Sequence, residues 1–376
     1  MQILSWLWDI AAYIPPFLFV LGIIIFIHEL GHFLVARWCN VAIDAFSLGF
    51  GPELIGWNDS RGTRWRVALI PLGGYVKFAG DDNAASMPDH DALESMSEEE
   101  KRTSFYLKPV WQRAAIVAAG PAANFLLAIF IFASAFLIVG RPTVDAAVTG
   151  VRPDSPAAAA GFQPGDVIVA IDGSKVNAFI DVLRTVSSAA GQDLTFTVDR
   201  GGQEVTLHAT PEQRDLKDDF GTPYSAGFLG IENRTSPEDV HRQTFGPIGA
   251  LVAGAQETAY ITKRTVEVIA GVITLEQSPK QFGGPLRVAK ISGDMASIGF
   301  TALFGLAAML SISIGLINLL PIPMLDGGHL LFYGIEALRG RPLSLRAQDV
   351  GFRIGLGLVL LLMFFATFND LLFLTS

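Results

Sequence analysis

The chain is poor in charge and in cysteine for its length of 376 residues. Charged side chains make up 17% and hydrophobic side chains 51%, whereas an average soluble protein carries about 25% charged residues. The single cysteine, Cys39, excludes an intrachain disulfide. The net charge of −9 argues against a nucleic-acid partner, because neutralising phosphates requires clustered Lys and Arg.

Long runs without charge account for this composition. Because a membrane span needs about 20 mostly apolar residues, four spans are predicted, at 13–36, 114–140, 295–325 and from 354 to the C-terminus. The third run is longer than one straight span requires. Residues 1–36 contain no Lys or Arg, so the N-terminus lacks the positive region of a secretory signal peptide.

The Lys and Arg residues cluster between the first and second spans and between the third and fourth. The positive-inside rule therefore places both segments in the cytoplasm, with the N-terminus, residues 141–294 and the C-terminus outside. The acidic stretch 81–100 lies in the first cytoplasmic segment. We interpret it as a solvated loop without a role in a site.

The outer segment predicts a small α/β domain at 141–235. Ser155 precedes Pro156 as a helix N-cap, Gly161 ends that helix, and a further helix is predicted at 177–190. Strands are predicted at 148–151, 167–171, 194–198 and 204–208. This order of turns and strands resembles a PDZ domain, the class that binds C-termini or strands at a sheet edge.

Two stretches of the outer segment leave alternatives open. Residues 227–231, Gly-Phe-Leu-Gly-Ile, are either a carboxylate-binding loop or a short strand. Apolar residues recur at three- and four-residue spacing over 245–273, which indicates one or two amphipathic helices. These helices are expected either at the outer membrane surface or packed against the PDZ-like domain.

The first span contains the sequence His28-Glu29-Leu30-Gly31-His32. Two histidines four residues apart lie on one face of a helix, where both imidazoles can bind one zinc ion. The adjacent Glu29 can accept a proton from an attacking water. Such polar groups inside a membrane span are costly to insert and therefore indicate a function.

Catalytic zinc needs a third protein ligand, and the end of the third span offers Asp326. Pro321 and Pro323 break the helix just before it. Irregular backbone at membrane depth is tolerated where it lines a cavity or is buried in protein. The predicted topology places Asp326 at the same cytoplasmic depth as the two histidines. His329 is the alternative ligand.

These motifs resemble the site-2 proteases, a family of intramembrane zinc metalloproteases, in the bacterial regulator-of-sigma-E protease branch. The resemblance rests on the HELGH sequence and on the run 318–328, with its Pro-x-Pro and Leu-Asp-Gly. It is also carried by 112–124 in the second span and by 71–77 in the cytoplasmic segment. It covers nearly the whole chain, with one PDZ-like domain.

The resemblance implies a role for each matching residue. His28, His32 and Asp326 would bind one Zn²⁺ ion, Glu29 would act as general base and then proton donor, and Asn318 would hydrogen-bond the substrate. Asn318 could instead make an interhelical hydrogen bond. The remaining predicted substrate-binding residues are Pro321, Pro323, Gly74 and Tyr75.

The resemblance also implies a β-hairpin on the cytoplasmic side, formed by 46–50 with 64–70 and 74–78, which dips into the membrane. Its free edge could take up an unwound substrate as an added strand. Gly120, Pro121 and Asn124 are interpreted as packing features that let the second span approach the site.

The predicted fold is a polytopic α-helical membrane protein with about four transmembrane helices, this membrane-associated hairpin and one outer PDZ-like domain. Its parts are a membrane core at 1–140 with a cytoplasmic loop at 40–112, the PDZ-like domain at 141–235, connecting helices at 236–294 and a second membrane core at 295–376.

The predicted function is zinc-dependent cleavage of single-span membrane proteins within the bilayer of the bacterial inner membrane, after their outer domains have been trimmed. The expected substrates are anti-sigma factors or signal-peptide remnants, and the outer domain is expected to act as a size filter against substrates with large outer domains. The alternatives are a non-catalytic PDZ scaffold, in which Glu29 is dispensable, and a metal-using transporter, which predicts an inverted repeat that the sequence lacks.

Overall fold

The computed structural model describes residues 2–79, 97–217, 223–233, 239–274 and 283–375. Most of the acidic stretch 81–100 therefore lies outside the described residues. The chain divides into two compact units, each with its own core. The first comprises 1–134, 251–267 and 283–376, and the second comprises 135–250 and 268–282.

The helices of the chain include all four predicted membrane spans. Within the described residues, four segments are long and apolar enough to cross a membrane: Ala12–Trp38, Val110–Ile138, Phe300–Asn318 and Arg346–Leu372. They belong to α1 (Gln2–Trp38), α3 (Val110–Ile138), α8 (Phe300–Asn318) and α10 (Leu345–Thr375). The other helices are α2 (Glu98–Thr103), α4 (Pro156–Ala160), α5 (Phe179–Ser188), α6 (Pro247–Ile273), α7 (Pro285–Ile298) and α9 (Asp326–Arg339).

The long third apolar run is divided between two helices. Gly299 has a φ of 138°, a conformation that side-chain-bearing residues avoid, and it separates α7 from α8. The stretch 245–273 forms one helix, α6, rather than two.

Three of the four spans bury part of their surface against one another. Val20 and Ile24 of α1 share a buried cluster with Ala128 of α3 and with Leu303 and Ile312 of α8. The last span is different, because only 6% of its most apolar window is buried. Its exposed apolar side chains are suited to lipid, which is the expected environment for such a helix.

Strands β1 (Ile43–Asn58) and β2 (Arg64–Phe78) confirm the predicted hairpin and fold back on each other. Leu48 in the first half of β1 is paired with both Gly74 and Val67. The second half of β1 pairs with the first half of β2, as Trp57 does with Trp65. Among the described residues, the segment 74–78 has a paired strand on one side only, so no strand is paired with its other edge.

The second unit contains the small antiparallel sheets predicted in the outer segment. Strands β5 (Val167–Ile171), β6 (Ser174–Lys175), β7 (Leu194–Arg200) and β8 (Gln203–Ala209) form one sheet in the order β6-β5-β7-β8. Shorter pairs join β3 (Arg141–Thr143) to β12 (His241–Gln243), β4 (Gly150–Val151) to β11 (Ile231–Glu232), and β9 (Glu212–Lys217) to β10 (Pro223–Phe228).

The helix signals in this unit are confirmed at both ends of α4, whereas the bounds of α5 differ from the prediction. The Ser155 hydroxyl accepts a hydrogen bond from the Ala158 amide, and Gly161 ends α4 with a φ of 84°. Helix α5 is shorter than the predicted 177–190, because Asp181 caps it by accepting bonds from the amides of Asn177 and Ala178. Of the stretch 227–231, Gly227 and Phe228 end β10 and Ile231 begins β11, while Leu229 and Gly230 connect the two strands.

Candidate metal centre and active site

Two histidines and one aspartate direct ligand atoms at a common point. His28 and His32 lie one turn apart on α1, and their Nε2 atoms are 3.3 Å from each other. Asp326 is the first residue of α9, and its Oδ2 lies 3.2 Å from Nε2 of His28 and 3.6 Å from Nε2 of His32. The three side chains are buried or nearly so.

The three atoms fit a tetrahedral zinc ion. Zinc binds nitrogen and oxygen at about 2.0–2.2 Å, which places neighbouring tetrahedral ligands about 3.3–3.6 Å apart. The observed separations are 3.3, 3.2 and 3.6 Å. The Oδ2 atom is buried and makes no hydrogen bond of good geometry within the described residues, although Nε2 of His28 is near. A shared cation explains why these ligand atoms converge.

The break after α8 positions Asp326. Helix α8 ends at Asn318, and the Pro-x-Pro sequence cannot continue it. Met324 then takes a φ of 97°, and α9 begins at Asp326. Gly327 is in close contact with the backbone carbonyl groups of Leu319 and Leu320, where any Cβ would overlap them. The Leu-Asp-Gly sequence therefore lets α9 begin directly against the end of α8.

Helix α3 supports both histidines from one side. The backbone carbonyl oxygen of Ile116 lies 2.8 Å from Nδ1 of His32 and accepts its proton when Nε2 binds a metal. Gly120 lies against the His32 imidazole, where a Cβ would overlap Nε2. The Asn124 side chain lies 3.3 Å from Nδ1 of His28. The GxxxN spacing thus serves the site as well as helix packing.

Glu29 faces the same site from α1. The Glu29 residue is 9% exposed. Gly74 on β2 lies beside it, and a Cβ built at Gly74 would lie 2.9 Å from Cγ of Glu29. The absence of a side chain at 74 therefore lets this strand approach the carboxylate closely. The predicted contact of Gly74 with substrate stays a prediction.

A cavity of about 230 Å³ joins these groups. Asn318, Gly74 and Tyr75 line it, and their role in substrate binding stays a prediction. Pro321 and Pro323 are not among the residues that line it, and the carbonyl group of Pro323 is in close contact with Gly355 of α10 instead. The two prolines shape the backbone rather than the cavity wall.

The cavity also contains residues that the sequence did not indicate. Phe105 and Tyr333 line it, and each lies in an ordinary apolar pattern that gives no signal of a site. Met324 and Val76 line it too; they lie within the motifs 318–328 and 71–77, but no individual role was predicted for them. His329 lines it too, although the group of convergent ligand atoms consists of His28, His32 and Asp326. Burial lowers the pKa of the His329 imidazole, which favours its neutral form.

The wall formed by Tyr75 is fixed by neighbouring side chains of the hairpin. The Arg66 guanidinium donates a hydrogen bond to the Tyr75 hydroxyl and also lies over its ring, 5.2 Å from the centroid. Phe50 stacks on the same ring at 5.9 Å. These contacts leave Tyr75 little rotational freedom beside the strand edge of 74–78.

Comparison with known proteins agrees with this chemistry. The family model described as peptidase family M50 matches residues 16–362. The chain is 49% identical to a protein of Agrobacterium fabrum named as a zinc metalloprotease, over 96% of both chains. It is 41% identical to the metalloprotease MmpA of Caulobacter vibrioides, over 94% of both chains. It is also 32% identical to the regulator of sigma-E protease RseP of Escherichia coli, over 98% of this chain and 99% of that protein.

The family match covers most of the chain, and these relatives are similar to it over nearly their full length. The chain therefore belongs to peptidase family M50, the site-2 protease family, and is a membrane-embedded zinc metalloprotease.

Proposed function

We propose that this protease cleaves single-span membrane proteins within the bilayer, with Glu29 as its general base. The observation that carries this proposal is the position of the metal centre. His28, Glu29 and His32 lie in the second half of Ala12–Trp38, a helix apolar enough to cross a membrane. Polar groups of this kind inside a span mark functional sites.

The residues of this chain divide the chemistry between them. His28, His32 and Asp326 would hold the zinc ion, which when bound supplies a Lewis acid for the scissile carbonyl and for the attacking water. Glu29 takes a proton from that water and delivers it to the departing amine. Its burial excludes bulk water from this transfer.

The substrate must unwind before its peptide bond can reach the metal, and its freed amide and carbonyl groups then need partners. The edge of 74–78 with which no described strand is paired offers backbone hydrogen bonds in the form of an added strand, beside Glu29. Asn318 lines the same cavity and supplies an amide side chain that can hydrogen-bond the substrate backbone. Together they would hold an extended segment across the metal centre.

The charge distribution supports a bacterial inner-membrane protein with its active site towards the cytoplasm. The Lys and Arg clusters flank the ends of the spans that carry the site. The sheets of the second unit would then form the outer PDZ-like domain at 141–235. Its position outside suits a size filter that admits substrates after their outer domains have been trimmed, such as anti-sigma factors or signal-peptide remnants.

The test is cleavage of a tagged single-span substrate without an outer domain, co-expressed with the wild-type protein or with Glu29→Gln. We expect the wild type to produce a shorter fragment, a chelator to prevent this, and Glu29→Gln to leave the substrate intact while still binding zinc. Equal cleavage by both proteins would overturn the assignment of Glu29. Failure of the wild type to cut a panel of such substrates would favour the scaffold alternative.

A further inference from the structure

Asn124 is a fully buried polar residue in the middle of α3. Its Nδ2 lies 3.3 Å from Nδ1 of His28, and its Oδ1 is buried without a hydrogen-bond partner among the described residues. An amide oxygen that is removed from water and left unpaired destabilises the folded protein. The arrangement therefore calls for an explanation beyond packing.

The tautomer that His28 adopts when it binds a metal explains the contact between Asn124 and Nδ1 of His28. When Nε2 of a neutral imidazole is a ligand, Nδ1 carries the hydrogen and must donate it. An Nδ2 group facing Nδ1 would then set a donor against a donor. The two ends of an amide have almost the same shape. A 180° rotation of the Asn124 amide brings Oδ1 to Nδ1 and gives the oxygen its missing partner.

His32 shows the same arrangement one turn along. Its Nδ1 lies 2.8 Å from the carbonyl oxygen of Ile116. Ile116, Gly120 and Asn124 are four residues apart on α3, so they form one face of the helix against the two imidazoles. This face gives each histidine an acceptor for its Nδ1 hydrogen and leaves both Nε2 atoms free for the metal.

We propose that Asn124 is a positioning residue for the metal centre, whose amide oxygen accepts the Nδ1 hydrogen of His28 and fixes that imidazole as an Nε2 ligand. This inference rests on the proposed function only in requiring a metal at His28, His32 and Asp326. It differs from a packing role for Asn124, which would be satisfied by an apolar side chain of similar size.

Zinc affinity of the purified full-length protein in detergent, measured by competition with a chelator, separates the two roles. We compare the wild type with Asn124→Asp, which keeps an acceptor oxygen, and with Asn124→Leu, which keeps similar bulk without one. Asn124→Ala is a second variant without an acceptor, should Leu fit poorly beside Gly315, whose added Cβ would lie 3.3 Å from Cβ of Asn124.

The matched control is Ser311→Ala. The Ser311 hydroxyl donates a 2.9 Å hydrogen bond to the backbone oxygen of Asn124, so the control removes a buried bond between α8 and α3 without touching His28. We expect wild-type zinc affinity for Ser311→Ala and for Asn124→Asp, and a 10- to 100-fold loss for the Leu and Ala variants, as is typical when such a partner is removed.

The outcomes separate this inference from the proposed function. Wild-type affinity in Asn124→Leu or Asn124→Ala, or a loss in Asn124→Asp as large as theirs, overturns the role of Asn124 and leaves the protease intact. If the wild type binds no zinc, or if His28→Ala binds it equally well, the metal centre itself is wrong.

Discussion

The close contact between Gly120 and His32 makes Gly120→Ala a sharp test of the metal centre. A Cβ built at 120 would lie 2.5 Å from Cε1 and 2.8 Å from Cδ2 of the His32 imidazole, with Nε2 nearer still. Two carbon atoms in favourable contact are about 3.5–4.0 Å apart. The ring must therefore retreat by about 1 Å, because Gly120 lies in the middle of a long helix and can move little.

A retreat of this size is large compared with what a metal site tolerates. Zinc–ligand distances vary by only about 0.2 Å between good sites, and a 1 Å misplacement of a catalytic group can lower the rate about 100-fold. We therefore expect Gly120→Ala to lower cleavage by at least about 100-fold, and to weaken zinc binding as His32 is displaced. In aqueous hosts alanine stabilises a helix by about 1 kcal/mol relative to glycine. Helix propensity therefore does not predict the expected loss of cleavage and zinc binding in Gly120→Ala.

The assay is cleavage of the single-span substrate in cells, with zinc affinity measured on the purified protein. Gly22→Ala on α1 is the matched control, because a Cβ at 22 meets nothing within 4 Å, and we expect wild-type behaviour from it. Cleavage and zinc affinity within twofold of wild type in Gly120→Ala would refute the geometry of the centre. Equal losses in both variants would show a general sensitivity of the spans to added methyl groups.

Two further predictions concern other parts of the chain. Gly327→Ala should abolish cleavage, because its Cβ would overlap the carbonyl group of Leu319 and displace Asp326, whereas Gly334→Ala on the same helix meets nothing within 4 Å and should cleave normally in the same assay. In the second unit, a bidentate bond from Arg200 (2.7 and 2.8 Å) holds the pKa of the buried Asp166 below its usual range. The ion pair therefore makes its full contribution to the free energy of unfolding above the pKa of Asp166 in the unfolded chain, about 3.9. That contribution is lost as the pH falls through the lower pKa of Asp166 in the folded protein. Asp166→Asn should lower the opening free energy of the β5–β7 amides in hydrogen exchange at pH 7 by about 1–3 kcal/mol; an unchanged value would contradict the role of this ion pair.

Local sequence patterns were sufficient to predict the membrane spans, helix α4 and the two histidines of the site. The four spans follow from uncharged runs, and α4 follows from Ser155, Pro156 and Gly161. His28 and His32 were indicated by their spacing alone, because an α-helix places residues four apart on one face. Helix ends were less accurate, as at α5, because side-chain capping decides them.

Other features required contacts between distant segments. The third apolar run does not reveal its break at Gly299, since glycine is also common within membrane helices. The doubled pairing of Leu48 with Gly74 and Val67 joins residues that no short-range pattern connects. Pro321 and Pro323 do not line the cavity and interrupt the backbone between α8 and Asp326, while their predicted contact with substrate stays a prediction.

The sequence by itself determined that this chain is a membrane protein with a metal-binding helix, because hydropathy and helical spacing are local properties. It also determined the family, because the motifs around the metal are contiguous. Only the tertiary structure decided which third ligand completes the centre, which strand edge lies beside Glu29, and what Asn124 contacts. Each of these depends on the packing of α1 against α3, β2 and α9, and a buried polar group has its role fixed by the atoms that surround it.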